Sequence, residues 1–326
     1  MVATGGTILI TGAGGFLGAN LAAAIAARHP AASLVLSDIV ETPRLAPLKD
    51  RASLVIADIT DPFVCRDLVS PSTELVYHLA SLVSGGAETD FEAGLKANVF
   101  ATIHLLEACR LAGGRPRFVF ASSIATFGGD RLPEKVDDWT FQHPQNSYGV
   151  AKLIGEQLLN DYSRKGYVDG RGLRMPAVVV RDVPNTAVSG YASNLIREPL
   201  EGRDYVCPVS EQTRIPILGV ETAIRLLVAL GGLNGQMLSE MRTVNGPSIS
   251  PSAAEIAAAV RELASPDQPV GKITFSSSPQ IQAIVDSWPR RMAWDRARAL
   301  GLPEEQSIQG LVEGYVLSRR RSAHLA

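Results

Sequence analysis

The sequence predicts an α/β fold, a doubly wound parallel sheet followed by a smaller C-terminal region. Two observations carry the prediction. Through the first half, short β-branched apolar runs alternate with stretches of helical apolar spacing, the pattern of a parallel sheet covered by helices on both faces. Between the first run and an alanine-rich helix, residues 10–18 read ITGAGGFLG, with glycines where a strand must turn sharply into a helix.

Taken in order, TILIT at 7–11 is the first strand, and NLAAAIAAR at 20–28 follows the glycines with helical spacing. SLVLSD at 33–38 and SLVIAD at 53–58 are the next two strands, each closing on an acid, and FVCRDLV at 63–69 is a short helix. LVYHLA at 75–80 is the fourth strand, and the helix ANVFATIHLLEACRLAG at 97–113 ends in a glycine suited to a C-cap. RFVFASS at 117–123, the helix SYGVAKLIGEQLLNDYSRKG at 147–166 and the strand GLRMPAVVV at 172–180 complete the series. Beyond about residue 180, Pro- and Gly-punctuated pieces such as VRDVPNTAVSGYASN and NGPSISPSAAEIAAAVREL cannot supply a second regular sheet of that size.

At 326 residues the chain can bury a substantial core, and its net charge of −2 lacks the basic excess of a nucleic-acid binder. Cys65, Cys109 and Cys207 form no CxxC pair and have no histidine near them, which fits buried reduced thiols in a cytoplasmic protein rather than a disulfide framework or a metal site. The N-terminal run is apolar, but it lacks a basic leading region and is interrupted by turn glycines, so it does not read as a secretory leader. No run approaches the roughly 18 apolar residues of a membrane span. There is no internal repeat, and the arginines at 319–321 read as a solvated terminus.

In the glycine series, Gly12 allows the tight turn, Gly15 lets backbone N–H groups approach a pyrophosphate, and Gly18 permits close packing of helix on strand. Phe16 and Leu17 open the helix whose N-terminus then faces the anion. A merely tight strand-to-helix turn would need the same glycines, and Asp38 distinguishes the two. It ends the second strand about twenty residues on, where a carboxylate accepts both hydroxyls of an adenine ribose and repels a 2′-phosphate, favouring NAD over NADP. Arg44 could offset that repulsion, but Asp38 is closer to the expected position. Asp58 and Ile59 close the third strand, where the acid could accept from the adenine amine or stand as a surface carboxylate. The expected organisation is therefore a Rossmann-type NAD-binding domain at 1–180, with 213–245 returning to it, and a substrate-binding region from 181–212 and 246–326.

Tyr148 and Lys152 stand four apart in a helical stretch and project from one face. An ammonium beside a phenol lowers its pKa, ordinarily about 10, so that the phenol can exchange a proton near neutral pH. This spacing also arises in helices with no catalytic role. Ser123 favours catalysis, because it ends the fifth strand where open α/β sheets collect ligands, and its hydroxyl can hold a reacting oxygen beside the tyrosine.

The set formed by TGAGGFLG, Asp38, ADIT at 57–60, HLAS at 78–81, Asn98, SSIATFG at 122–128 and YGVAK at 148–152 resembles the extended short-chain dehydrogenase/reductases, the NAD-dependent epimerase/dehydratase family. The resemblance covers essentially the whole chain. It implies Tyr148 as acid/base, Lys152 as the ribose-binding residue that depresses the tyrosine pKa, and Ser123 as the substrate-orienting hydroxyl. It further implies that Asn98 lies in a central helix near the active site, that Leu79, Ala80 and Ser81 line NAD, and that Pro176 and Val179 flank the nicotinamide. A homodimer built from the helices holding Asn98 and Tyr148 is implied as well. His78 reads as a packed strand residue.

Within that family, sugar-nucleotide enzymes typically carry a Gly-Asp-Gly turn before an arginine late in the chain. CPVSEQTRIPILGVETA at 207–223 has Arg214 and Glu221 but lacks the turn. By contrast LVSGGAETDFEAGLKANV, NLIREPLEGRDYVCPV and DSWP at 286–289 look like the D-erythronate dehydrogenase branch, which implies oxidation of a small free polyhydroxy acid at C2. Ser84, Gly85 and Gly86 precede a helix and could turn N–H groups toward a carboxylate, though a flexible loop would read the same. Arg181, Asn185 and Arg214 are candidate polar contacts to substrate. VRDVPN and TRIPIL depart from that branch's pattern where substrate is read. Two rivals remain: a sugar epimerase or dehydratase, which returns the hydride, and a non-catalytic NAD(H) sensor. No metal is expected.

Overall fold

A computed structural model of the protein describes residues 6–182, 188–263, 270–305 and 307–323. In chain order the chief elements are β1 (Thr7–Thr11), α1 (Phe16–Arg28), β2 (Ser33–Asp38), β3 (Ser53–Ile56), α2 (Pro62–Leu68), β4 (Thr73–His78), α3 (Ser84–Thr89), α4 (Phe91–Leu95) and α5 (Ala101–Ala112). They continue with β5 (Arg117–Ser123), β6 (Lys135–Val136), α6 (Ser147–Arg164), β7 (Asp169–Met175), β8 (Ala177–Val179), α7 (Gly190–Leu200), β9 (Tyr205–Cys207), β10 (Ile217–Gly219) and α8 (Val220–Gly232). The last are β11 (Thr243–Asn245), α9 (Ala253–Leu263), β12 (Ile273–Phe275), α10 (Pro279–Asp286), β13 (Arg291–Met292), α11 (Asp295–Ala299) and α12 (Ile308–Ala323).

Seven strands form one parallel sheet in the order β11-β7-β5-β4-β1-β2-β3. The alternation of side chains along each strand divides the core. Ile8 and Ile10 of β1, with Leu75 and Tyr77 of β4, pack with Leu226, Leu227 and Leu230 of α8. Leu9, Val76, Phe118 and Phe120 point the other way, into a cluster with Leu105, Leu106 and Leu159. Both faces are apolar and covered, as the sequence pattern requires of a parallel sheet. A separate cluster around Tyr191, Leu195, Ile217, Ile256 and Val312 is the core of the C-terminal region. Strand order reverses between β1 and β4, whose last residues Thr11 and His78 are register partners. Ligands of such sheets bind in the crevice at that reversal.

Two elements differ from the sequence reading. GLRMPAVVV is not one strand: the chain leaves the large sheet after Met175, and Ala177–Val179 pairs instead with β10. Pro176 lies at the break, where a residue without an N–H cannot continue a central ladder. The helix expected over 97–113 starts with a π turn at Lys96–Phe100, continuous with α4, before the regular turns of α5. The three cysteines are free and buried. Among the described residues no helix is long and apolar enough to cross a membrane.

Candidate active site

A cleft of about 560 Å³ opens at the C-terminal ends of β1, β2 and β4. Gly12, Gly15, Asp38, Asp58, Ile59, Leu79, Ala80 and Ser81 all line it. Gly12 has φ +70, and a Cβ there would lie 2.6 Å from Ala80 N, so only glycine lets β1 turn beside β4. At Gly18 a Cβ would overlap the Gly12 carbonyl oxygen, which is the close helix-on-strand approach anticipated from the sequence. Gly15 is the N-cap of α1, so the first N–H groups of that 13-residue helix open into the cleft. Phe16 and Leu17 pack against the core beneath α1.

Asp38 accepts from Gly14 N at 2.8 Å and from Ile39 N at 2.7 Å, fastening the glycine loop to the end of β2. Asp58 accepts from Thr60 N at 2.9 Å. The shape and donor set fit the adenosine and pyrophosphate of a dinucleotide: an open cradle over a helix N-terminus, with a carboxylate at the ribose end.

The proton-transfer groups sit further along the same edge. Ser123 ends β5, and its Oγ accepts from Ala125 N at 3.1 Å. Asn146 caps α6 by accepting from Gly149 N at 2.8 Å, and Tyr148 and Lys152 follow on the first two turns. Gly149, which the sequence reading passed over, is what lets α6 approach. A Cβ there would collide with the Ala125 carbonyl oxygen, so any larger residue would push Tyr148 away from Ser123.

Burial raises the Tyr148 pKa, while hydrogen bonding to the Ser123 and Ser81 hydroxyls and the charge of Arg181 lower it. Lys152 is 3% exposed, and its Nζ lies 5.4 Å from the Tyr148 ring centroid and 5.0 Å from that of Phe120. Burial pulls the ammonium down to about 8. The Arg181 charge thus acts on the phenol, and the Lys152 ammonium stands over the tyrosine ring. Ser81, expected only to line the cleft, also touches the phenol. It donates to Asn98 Oδ1 at 2.8 Å, and Asn98 in turn accepts from Leu82 N and donates to Leu82 O, both at 2.9 Å. The π turn carrying Asn98 aims its amide back at this loop, a placement that apolar periodicity cannot reveal.

Arg181 follows β8, half-buried. Its own pKa is lowered by burial, against the opposing pull of Tyr148 and Asp182, and among the described residues it makes no salt bridge. Ser84, Gly85 and Gly86 form the first turn of α3, and Glu88 of that helix accepts from Ser147 N at 3.0 Å, placing α3 beside the start of α6. Val179 is buried in the C-terminal core. Arg214 lies apart from the cleft, held by two 2.8 Å hydrogen bonds to the Glu255 carboxylate and one to Ser250 O. Asn185 lies outside the described residues. His78 is packed: Nδ1 bonds Thr11 Oγ1 at 2.8 Å, Nε2 bonds Thr102 Oγ1 at 3.0 Å, and burial lowers its pKa to about 3, leaving it neutral.

One turn beyond Lys152, Glu156 is 1% exposed and pairs with the 2% exposed Arg174 of β7 at 2.8 Å. Glu156 also accepts from Ser122 Oγ, the residue before Ser123. The three polar residues of one α6 face thus span from the site down to the sheet, where the ion pair fixes the helix against β5 and β7.

Residues 8–230 match the family model described as NAD dependent epimerase/dehydratase family. The chain is 41% identical over 319 residues to a D-erythronate dehydrogenase of Cupriavidus necator, covering 95% of this chain and 97% of that one. It is 35% identical over 313 residues to a D-erythronate dehydrogenase of Haemophilus influenzae, covering 95% and 98% respectively. Among solved structures, one titled as a nucleoside-diphosphate-sugar epimerase from Agrobacterium tumefaciens superposes with a TM-score of 0.86 at 32% identity, covering 94% of this chain and 92% of that one.

Proposed function

The chain belongs to the NAD dependent epimerase/dehydratase family, and from that premise we propose that it oxidises a small free 2-hydroxy polyol acid of the D-erythronate type at C2, with NAD as hydride acceptor. The observation that carries the substrate class is the placement of Arg181. It is a half-buried cation whose charge acts on the Tyr148 phenol, without a salt bridge among the described residues. A carboxylate bound there sets the adjacent carbinol against the Tyr148 and Ser123 hydroxyls. The first turn of α3 at Ser84, Gly85 and Gly86, beside the start of α6, would offer further N–H groups to the carboxylate.

Bound NAD supplies the acceptor for the carbinol hydride at C4 of its nicotinamide. Ser123 holds the substrate oxygen in line, and the Tyr148 phenolate oxygen takes the hydroxyl proton as the carbonyl forms. The Arg181 charge and hydrogen bonding to Ser123 offset the burial that disfavours the phenolate. Lys152, whose ammonium stands over the tyrosine ring, would hold the nicotinamide ribose. Gly12 and Gly15 would hold the pyrophosphate end, with Gly18 seating the helix on the strand, Asp38 the adenine ribose and Asp58 and Ile59 the adenine, while Leu79 and Ala80 line the cleft and Pro176, with Val179 packed behind it, belongs to the nicotinamide end. Asp38 makes the enzyme select NAD over NADP.

Two features argue against a nucleotide sugar, despite the similarity to the Agrobacterium epimerase. The Gly-Asp-Gly turn is missing, and Arg214 is already bound by Glu255. A redox sensor would need no proton-transfer set of this kind. A homodimer is proposed through α5, α6 and the π turn, where Phe100, Val150 and Ile154 stand exposed. Turnover of free 2-hydroxy acids with net NADH release, measured beside sedimentation of the protein, tests the reading; hydride return without net NADH would refute it.

A further inference from the structure

The Arg44 guanidinium donates to Asp182 Oδ2 at 2.9 Å, with side chains 34% and 55% exposed. This contact joins the segment that follows β2 to the segment that follows β8. Arg44 stands two residues beyond Thr42, whose hydroxyl donates to Gly14 O at 3.0 Å, and Gly14 N donates to Asp38 at 2.8 Å. Arg44 therefore belongs to the segment fastened, through Thr42 and Gly14, to the carboxylate assigned to the ribose. Asp182 follows Arg181 and borders, with Phe16 and Asn20, a second cleft on the far side of the glycine loop.

A 2′-phosphate on a ribose held at Asp38 would need a cation to replace the ribose contact, and an arginine fork is the group best suited to it. The nearby lysines are occupied, Lys49 by Glu41 and Lys96 by Glu92, each at 2.7 Å. Arg44 is the cation in reach, and Asp182 holds it.

We propose that Asp182 is a second cofactor-specificity residue, which sequesters Arg44 and so denies NADP the counter-charge that would overcome Asp38. This rests on the NAD reading above. An exposed ion pair is weak, so the device adds a modest factor to the larger one set by Asp38. It also makes cofactor choice depend on a segment that carries the proposed substrate arginine.

Equilibrium binding of NADH and NADPH, followed by nucleotide fluorescence, needs no knowledge of the substrate. In the Asp38→Ala background, adding Asp182→Asn is expected to tighten NADPH about threefold to tenfold while NADH changes by less than about twofold, and adding Arg44→Ala is expected to remove the gain. If Asp38→Ala/Asp182→Asn binds NADPH no tighter than Asp38→Ala, or if the gain survives loss of Arg44, the proposal is overturned and the NAD reading stands. Equal affinity of the wild-type protein for the two nucleotides would overturn both.

Discussion

Arg181 and Tyr148 act on each other's titration: the guanidinium charge favours the phenolate, and the phenolate favours the guanidinium, while burial opposes both. They come from different parts of the chain, one at the end of β8 and the other on the first turn of α6. A cation in that position can serve both the base and an anionic substrate.

Arg181→Met is therefore expected to lower kcat/KM for a free acid by about a hundredfold or more, as loss of a charged contact usually does. It is expected to lower the much slower turnover of a neutral amide of the same acid far less, and only through the loss of phenolate. The pH profile separates this from a fault in folding. Removing the cation raises the phenol pKa further, so the rising limb of oxidation moves to higher pH. A loss of equal size on acid and amide, with an unmoved profile, contradicts the role.

Tyr148→Phe removes the proton acceptor but keeps the ring over which Lys152 sits. We expect kcat to fall about 10²- to 10⁴-fold, the usual weight of a general base, with NADH affinity within about threefold of wild type. Near-native turnover in the variant would refute the assignment of the base.

Lys152 trades stability for function. Burial takes its pKa from 10.5 to about 8, and among the described residues it makes no salt bridge. Below the folded value both folded and unfolded chains are protonated, so the fold carries the whole penalty of the buried ammonium, about 3 kcal/mol at 1.36 kcal/mol per pH unit. Between the folded and unfolded values the unfolded chain binds more proton, so stability rises with pH and the penalty disappears. Lys152→Met is expected to stabilise the apoprotein by about 1–3 kcal/mol near pH 7, less as pH approaches about 10, while activity is lost. Denaturant titrations at both pH values measure this; a variant less stable at neutral pH would show that the ammonium is not unpaired in solution.

The parts legible in the sequence are those set by local geometry. The glycine series could be read because Gly12 and Gly18 answer to backbone approaches within one strand-turn-helix unit, and Tyr148 with Lys152 because four residues return to one helix face. What escaped depends on distant segments meeting. Gly149 matters only because α6 runs against the Ala125 carbonyl, and Ser81 reaches the phenol only because the π turn draws its loop toward Asn98. Glu156 and Arg174 are ordinary charges in the sequence and become a buried pair once α6 lies on β7. Pro176 was visible, but the run around it was apolar enough to read as one strand, and the break appears only when Ala177–Val179 pairs with β10.

The central claim is net oxidation of a free 2-hydroxy acid at C2, and one assay addresses it directly. The purified protein is incubated with NAD and D-erythronate, its amide, or a UDP-sugar; NADH is followed by absorbance and the product is identified by NMR. The account predicts one NADH per molecule of D-erythronate consumed, a 2-keto acid as product, and little turnover of the amide or the UDP-sugar. Equal rates on acid and amide, or conversion confined to the UDP-sugar without net NADH, would contradict it.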